Sequence, residues 1–99
     1  MRTHRVCWQV AECLLPGLTP ALAEAFGERL RAEAASFPGQ VAFIGSLLMP
    51  EDEVLLCLFA GPVADIRALS ERAGLPFERI LHCVGLSWNR QEPEKGLSE

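Results

Sequence analysis

Four cysteines, two histidines and a carboxylate at the end of an apolar run are the residues of this 99-residue chain suited to chemistry. Cys7, Cys13, Cys57 and Cys83 follow no C-x-x-C spacing, and in the absence of an export signal they are expected as reduced thiols. A zinc site on Cys7 and Cys13 fails on length. The two share a strand face but stand ~20 Å apart at ~3.3 Å per residue, whereas ligands of one ion converge within ~4 Å. Cys57 and Cys83 approach Cys7 only if strand registers bring them there. As a set the four read as small buried hydrophobes, since free cysteine is among the most buried residue types. His4 and His82 fall at strand positions and read as strand-end or partly buried side chains rather than ligands. Glu12 precedes Cys13-Leu14-Leu15-Pro16-Gly17, where a carboxylate can accept hydrogen bonds from loop amides or face a ligand. The sequence contains no Ser-His-Asp set, glycine-rich phosphate loop, H-E-x-x-H or paired-carboxylate motif.

The elements that must position these residues are legible as alternations and caps. Residues 3–13 alternate as a first strand. Thr19 is placed to cap a helix that opens on Pro20, where a missing N–H costs nothing. Leu22, Phe26, Leu30 and Ala34 recur along that helix as an apolar stripe, and Pro38-Gly39 stops it. Strands over 40–49 and 53–60 flank the turn Pro50-Glu51-Asp52-Glu53 and predict a hairpin. A second helix begins near Pro62, buries Val63, Ile66, Leu69 and Ala73, and ends at Gly74 before Pro76. A fourth strand spans 78–88, and residues 89–99 form a polar tail.

This order, βαββαβ, is the ferredoxin-like pattern: an α+β sandwich with one four-stranded antiparallel sheet, strands in the order 4-1-3-2, and both helices on one face. The chain is expected as a single domain over 1–88. Val6, Trp8 and Val10 with Ile80, Val84 and Leu86 are expected to form the helix-covered side. Arg5, Cys7, Gln9, Ala11, Leu81, Cys83, Gly85 and Ser87 then face away, carrying less charge than a solvated sheet should. That shortage predicts a second copy covering the sheet, in a two-fold homodimer with room for a small cavity. Arg5, Cys7, Gln9, Glu12, Cys57 and Cys83 are the candidate ligand-pocket residues. None is assigned a catalytic or metal-ligating role.

Charge and composition exclude other classes. A net charge of −4 with dispersed basic residues gives no electrostatic basis for nucleic acid or an anionic membrane. The apolar runs 41–49 and 54–60 are each too short to span a bilayer, so a soluble cytoplasmic protein is expected.

Val10-Ala11-Glu12, Pro16-Gly17-Leu18-Thr19, Val41-Ala42-Phe43-Ile44-Gly45-Ser46, Asp52-Glu53-Val54 leading to Cys57-Leu58-Phe59, and Glu71-Arg72-Ala73-Gly74-Leu75-Pro76 together resemble a family of small proteins known as a domain of unknown function. Its best-described members are nickel-binding ferredoxin-like homodimers. The resemblance, over residues 6–86, implies this fold and a homodimer, and suggests a metal or small-molecule ligand. The chain departs from the metal-binding members in lacking histidine-rich segments, so nickel is carried over to no residue. A small homodimeric binding protein is the expected function. The alternatives are a cofactor-independent enzyme of the dimeric α/β-barrel type and a purely structural interaction module.

Overall fold

Local signals decide where the elements start and stop. The structure, a computed structural model, describes residues 7–86. In chain order these form β1 (Cys7–Leu14), α1 (Pro20–Ala35), β2 (Ala42–Met49), β3 (Val54–Ala60), α2 (Val63–Arg72) and β4 (Arg79–Val84). The expected start of the first strand, with His4, Arg5 and Val6, and the chain beyond Leu86, with the tail, lie outside the described residues.

Thr19 caps α1 as expected: its Oγ1 accepts the Leu22 N–H at 3.2 Å, and Pro20 opens the helix. At the end of α2, Gly74 takes φ +73°, its N–H donates to the Glu71 carbonyl at 3.1 Å, and the Leu75 N–H donates to the Ser70 carbonyl at 2.9 Å. These two bonds form a Schellman motif that satisfies the last carbonyls of α2 and turns Leu75 into the core.

The four strands make one open antiparallel sheet in the order β2-β3-β1-β4, the predicted 4-1-3-2 read from the other edge, so the fold is α+β. Its core joins Ala11, Cys13, Leu55, Cys57 and Phe59 of the sheet to Ala23 and Leu30 of α1, Ile66 and Leu69 of α2, and Ala73, which caps α2. Both helices therefore bury their apolar sides against the same face.

That face is not the one expected for β1. Ala11 stands opposite Cys57 and Ile80, Cys13 opposite Leu55, and Gln9 opposite Phe59 and His82. Ladder partners point to the same side of a sheet. The helix-side row of β1 is thus Cys7, Gln9, Ala11 and Cys13, and Trp8 and Val10 face away. On β4 the expected parity holds, with Ile80 against the core and Leu81 and Cys83 turned outward. The reason is steric. Small side chains on the central strand let two helices settle close to the sheet, and the bulk comes from Leu30, Leu55, Phe59, Ile66 and Leu69 instead. The expected α1 stripe holds at Leu30, with Phe26 and Ala34 partly buried against the core, and fails at Leu22. Ala23, Gly27 and Leu30 are buried, Leu22 is 52% exposed, and a side chain on Gly27 would meet the Phe43 ring at 3.8 Å. Val63 of α2, expected inward, is exposed.

The two outer surfaces differ in kind. On the helix side, Arg29, Arg31, Arg67 and Arg72 lie 5.2–5.5 Å above the rings of Phe26, Phe43, Phe77 and Phe37, covering aromatic faces while staying solvated. The opposite face of the sheet carries Leu47 and Met49 of β2, Val54, Leu56 and Leu58 of β3, Trp8, Val10 and Leu14 of β1, and Leu81 and Cys83 of β4. Glu12 and Arg79 are its charged positions among the described residues.

Gly61 joins β3 to α2 at φ +131°, and a Cβ there would stand 2.3 Å from the Gln40 carbonyl oxygen. Gly61→Ala is therefore expected to destabilise the fold by about 2 kcal/mol or more, because backbone strain and overlap add. Urea denaturation followed by circular dichroism measures this; a midpoint within error of the parent would contradict the turn geometry.

Candidate functional site

The six residues singled out from the sequence do not converge on one pocket. Arg5 lies outside the described residues. Cys7 and Gln9 sit on the helix side near the start of β1, and Cys57 is buried farther along that side. Glu12 and Cys83 face the other way. The registers bring out three smaller groupings that pair residues far apart in sequence.

The first is an ion pair set into the apolar face. Glu12 on β1 is the ladder partner of Arg79 on β4, and Arg79 Nε donates to Glu12 Oε1 at 2.6 Å. The Glu12 backbone carbonyl also accepts the Glu78 N–H at 2.7 Å, which fixes the start of β4. Donating to the Glu12 carboxylate, whose charge lies alongside, raises the Arg79 guanidinium pKa. The Glu12 side chain is 19% exposed and that of Arg79 64%, so the pair adds little to stability in a single chain. Chemically it offers the remaining guanidinium N–H donors and the second carboxylate oxygen, at the border of an apolar plane. Glu12 was a sequence candidate; Arg79 was missed, because only the β1–β4 register identifies it.

The second grouping is Gln9 and His82, whose Nε2 and Nδ1 lie 3.0 Å apart on the helix side of the sheet. The sequence reading put His82 on the face of Trp8; the register corrects this, because Gln9 and not Trp8 is its ladder partner, and His82 is exposed.

The third is Cys13 and Cys57, both in the core beneath the helices. Cys57 faces Ala11 and Cys13 faces Leu55, which makes the two cysteines diagonal neighbours on adjacent strands. A hydrogen bond from the Cys57 thiol lowers the Cys13 pKa, against burial and the charges of Glu78 and Glu12. Supplying that bond, together with burial and the Cys13 charge, pushes the Cys57 thiol up. Cys7 is exposed and Cys83 half-buried, so only two of the four cysteines are the buried hydrophobes expected.

Among the described residues, no group of three or more His, Cys, Asp or Glu side chains could hold a metal ion. An open depression of about 270 Å³ at the hairpin tip is lined by Leu48, Met49, Pro50, Glu51 and Asp52. It brings together none of the candidate residues. No described helix is long and apolar enough to cross a membrane.

No protein-family model matches the chain, and no curated protein matches it. Among solved structures, the crystal structure of SCO4226 from Streptomyces coelicolor A3(2) is similar, with a TM-score of 0.60 and 21% identity over 85% of this chain and 99% of that one. Likeness at that identity speaks for the fold.

The cysteine pair makes stability pH-dependent. Cys57 is raised above the ordinary thiol value of 9.0, so above that pH the unfolded chain releases a proton that the native state keeps. Its contribution is complete below pH 9.0 and declines as pH rises beyond it. Cys13, being lowered, acts in the opposite direction as pH approaches 9.0 from below. Cys57→Ala should cost about 1 kcal/mol at neutral pH through lost packing and flatten the alkaline decline. Urea midpoints between pH 7 and about 10.5, with reductant present, test both effects; an equal decline in the variant would refute the assignment.

Proposed function

We propose that this protein is a small homodimeric binding module of ferredoxin-like fold, in which two copies pack their open sheet faces together and a small ligand is held at the layer between them. One observation carries the reading: an entire sheet face on which Leu47, Leu56, Leu58, Val10 and Leu81 adjoin, interrupted by the Glu12–Arg79 pair. A sheet face exposed to water ordinarily alternates toward polar residues. Leu14, Leu47 and Met49 stand exposed on it in the single chain.

The dimensions suit a second copy. Four strands at ~4.8 Å spacing and about seven residues long at ~3.3 Å per residue give a plan area on the order of 450 Å². Side-chain relief brings the accessible area toward the ~800 Å² per partner of a standard interface. Stacked sheets lie ~10 Å apart, close enough for the leucines of each to interdigitate.

In such a layer the unused donors of Arg79 and the free oxygen of Glu12 need partners, since a buried polar group without one is costly. A small polar ligand at that border, or groups from the second copy, would supply them. Nickel comes from the family resemblance alone, and a nickel site would draw on residues of both copies or on residues outside 7–86.

Native mass spectrometry of the purified protein should show two subunits together with any retained ligand mass. Leu47 is 58% exposed in the single chain, so Leu47→Glu should fold normally. It should weaken self-association roughly 100-fold or more, because the new charge would be buried in the interface. Sedimentation at micromolar concentration reads this, and a folded monomer in the parent protein would sink the proposal. Titration calorimetry of the reduced protein with nickel should give no submicromolar site within a single subunit; one-to-one binding abolished by His82→Ala would show otherwise.

A further inference from the structure

We propose that Cys13 and Cys57 are a reversible redox pair that closes into a disulfide between the two central strands when the folded protein meets a peroxide. The two thiols are diagonal neighbours across the β1–β3 ladder, buried under both helices. The other two cysteines have no such partner within the chain. Cys7 pairs with Val84 and points to the helix side, and Cys83 pairs with Trp8 and points to the opposite face, so the sheet itself stands between them. Placement therefore selects one couple out of the six that four cysteines allow.

The chemistry balances with a peroxide as oxidant. The Cys13 thiolate attacks the O–O bond, giving a sulfenic acid at Cys13 and, with a proton, one water. Cys57 then attacks that sulfur and expels a second water as the S–S bond forms. In total, two thiols lose two protons and two electrons, and hydrogen peroxide is reduced to two waters. The hydrogen bond from Cys57 favours Cys13 as the attacking thiolate. Peroxide is small and uncharged, so local opening of the helix layer admits it.

The register also explains why the bond would be labile. Diagonal neighbours in an ideal antiparallel ladder lie ~7–8 Å apart, whereas a disulfide needs Cβ atoms ~3.8 Å apart. Closing the bond therefore draws β1 and β3 together where the two residues stand diagonally. A disulfide held under such tension is readily reduced by an external dithiol, which returns both thiols.

The experiment treats the reduced, folded, full-length protein with hydrogen peroxide, alkylates remaining thiols after unfolding, and maps linked peptides by mass spectrometry. The parallel sample is the Cys7→Ser, Cys83→Ser variant, which leaves the core pair as the only thiols. In both, the expected product is one intramolecular Cys13–Cys57 link, with a higher urea midpoint that dithiothreitol reverses. Cys57→Ala should abolish the link. The proposal is overturned if both core thiols of the double-serine variant are recovered free, if they stop at sulfinic acid without linking, if they link only between chains, or if linking requires denaturant.

Discussion

Small side chains at the centre of the sheet are the constraint on which the rest of this structure depends. Ala11 and Cys13 on β1 and Cys57 on β3 keep the middle of the sheet low, so Leu30 of α1 and Ile66 and Leu69 of α2 can reach it together. Interiors are close-packed, and a larger residue at any of these positions would lift a helix. The same choice sends the bulk of β1, Trp8 and Val10, to the other side. One packing decision thus gives the sheet a finished face and an unfinished one.

The two faces also divide the chemistry. On the finished side, the Cys13 and Cys57 thiols are confined and the Arg–Phe contacts present charge to water. The unfinished side holds one ion pair in an apolar field, where removing water would strengthen its electrostatics considerably. Charge near the rim of such a surface confers orientation more than affinity, because a shifted register would strand it without a partner.

Much of the fold was legible because its signals are local. The Thr19-Pro20 start, the Pro50–Glu53 turn and the Gly74 stop each depend on residues within one turn of chain, and the structure reproduces all three. Parity on β1 was misread because residue size was taken as the mark of the core, whereas the core there required smallness. The sequence did carry a corrective: Glu12 shares the parity of Trp8 and Val10, and a carboxylate seldom belongs under two helices. The candidate site was legible only in fragments. Glu12 and Cys57 were named, but Arg79 and Cys13 acquire their meaning from registers between strands dozens of residues apart, which no local pattern encodes. The inward row of α1, Ala23, Gly27 and Leu30, keeps helical spacing but includes two small residues that a search for bulky apolar side chains passes over.

The outer strand β2 departs from regular pairing between Phe43 and Gly45, where Ile44 is an extra residue opposite no partner. An irregularity of this kind coils the margin of a sheet and spoils it as a template for another strand. Growth by adding strands margin to margin has no natural stopping point and leads toward fibres, whereas two sheets meeting broadside satisfy each other and stop. Ile44 therefore acts as a safeguard. It works against the pairing of another strand along that border.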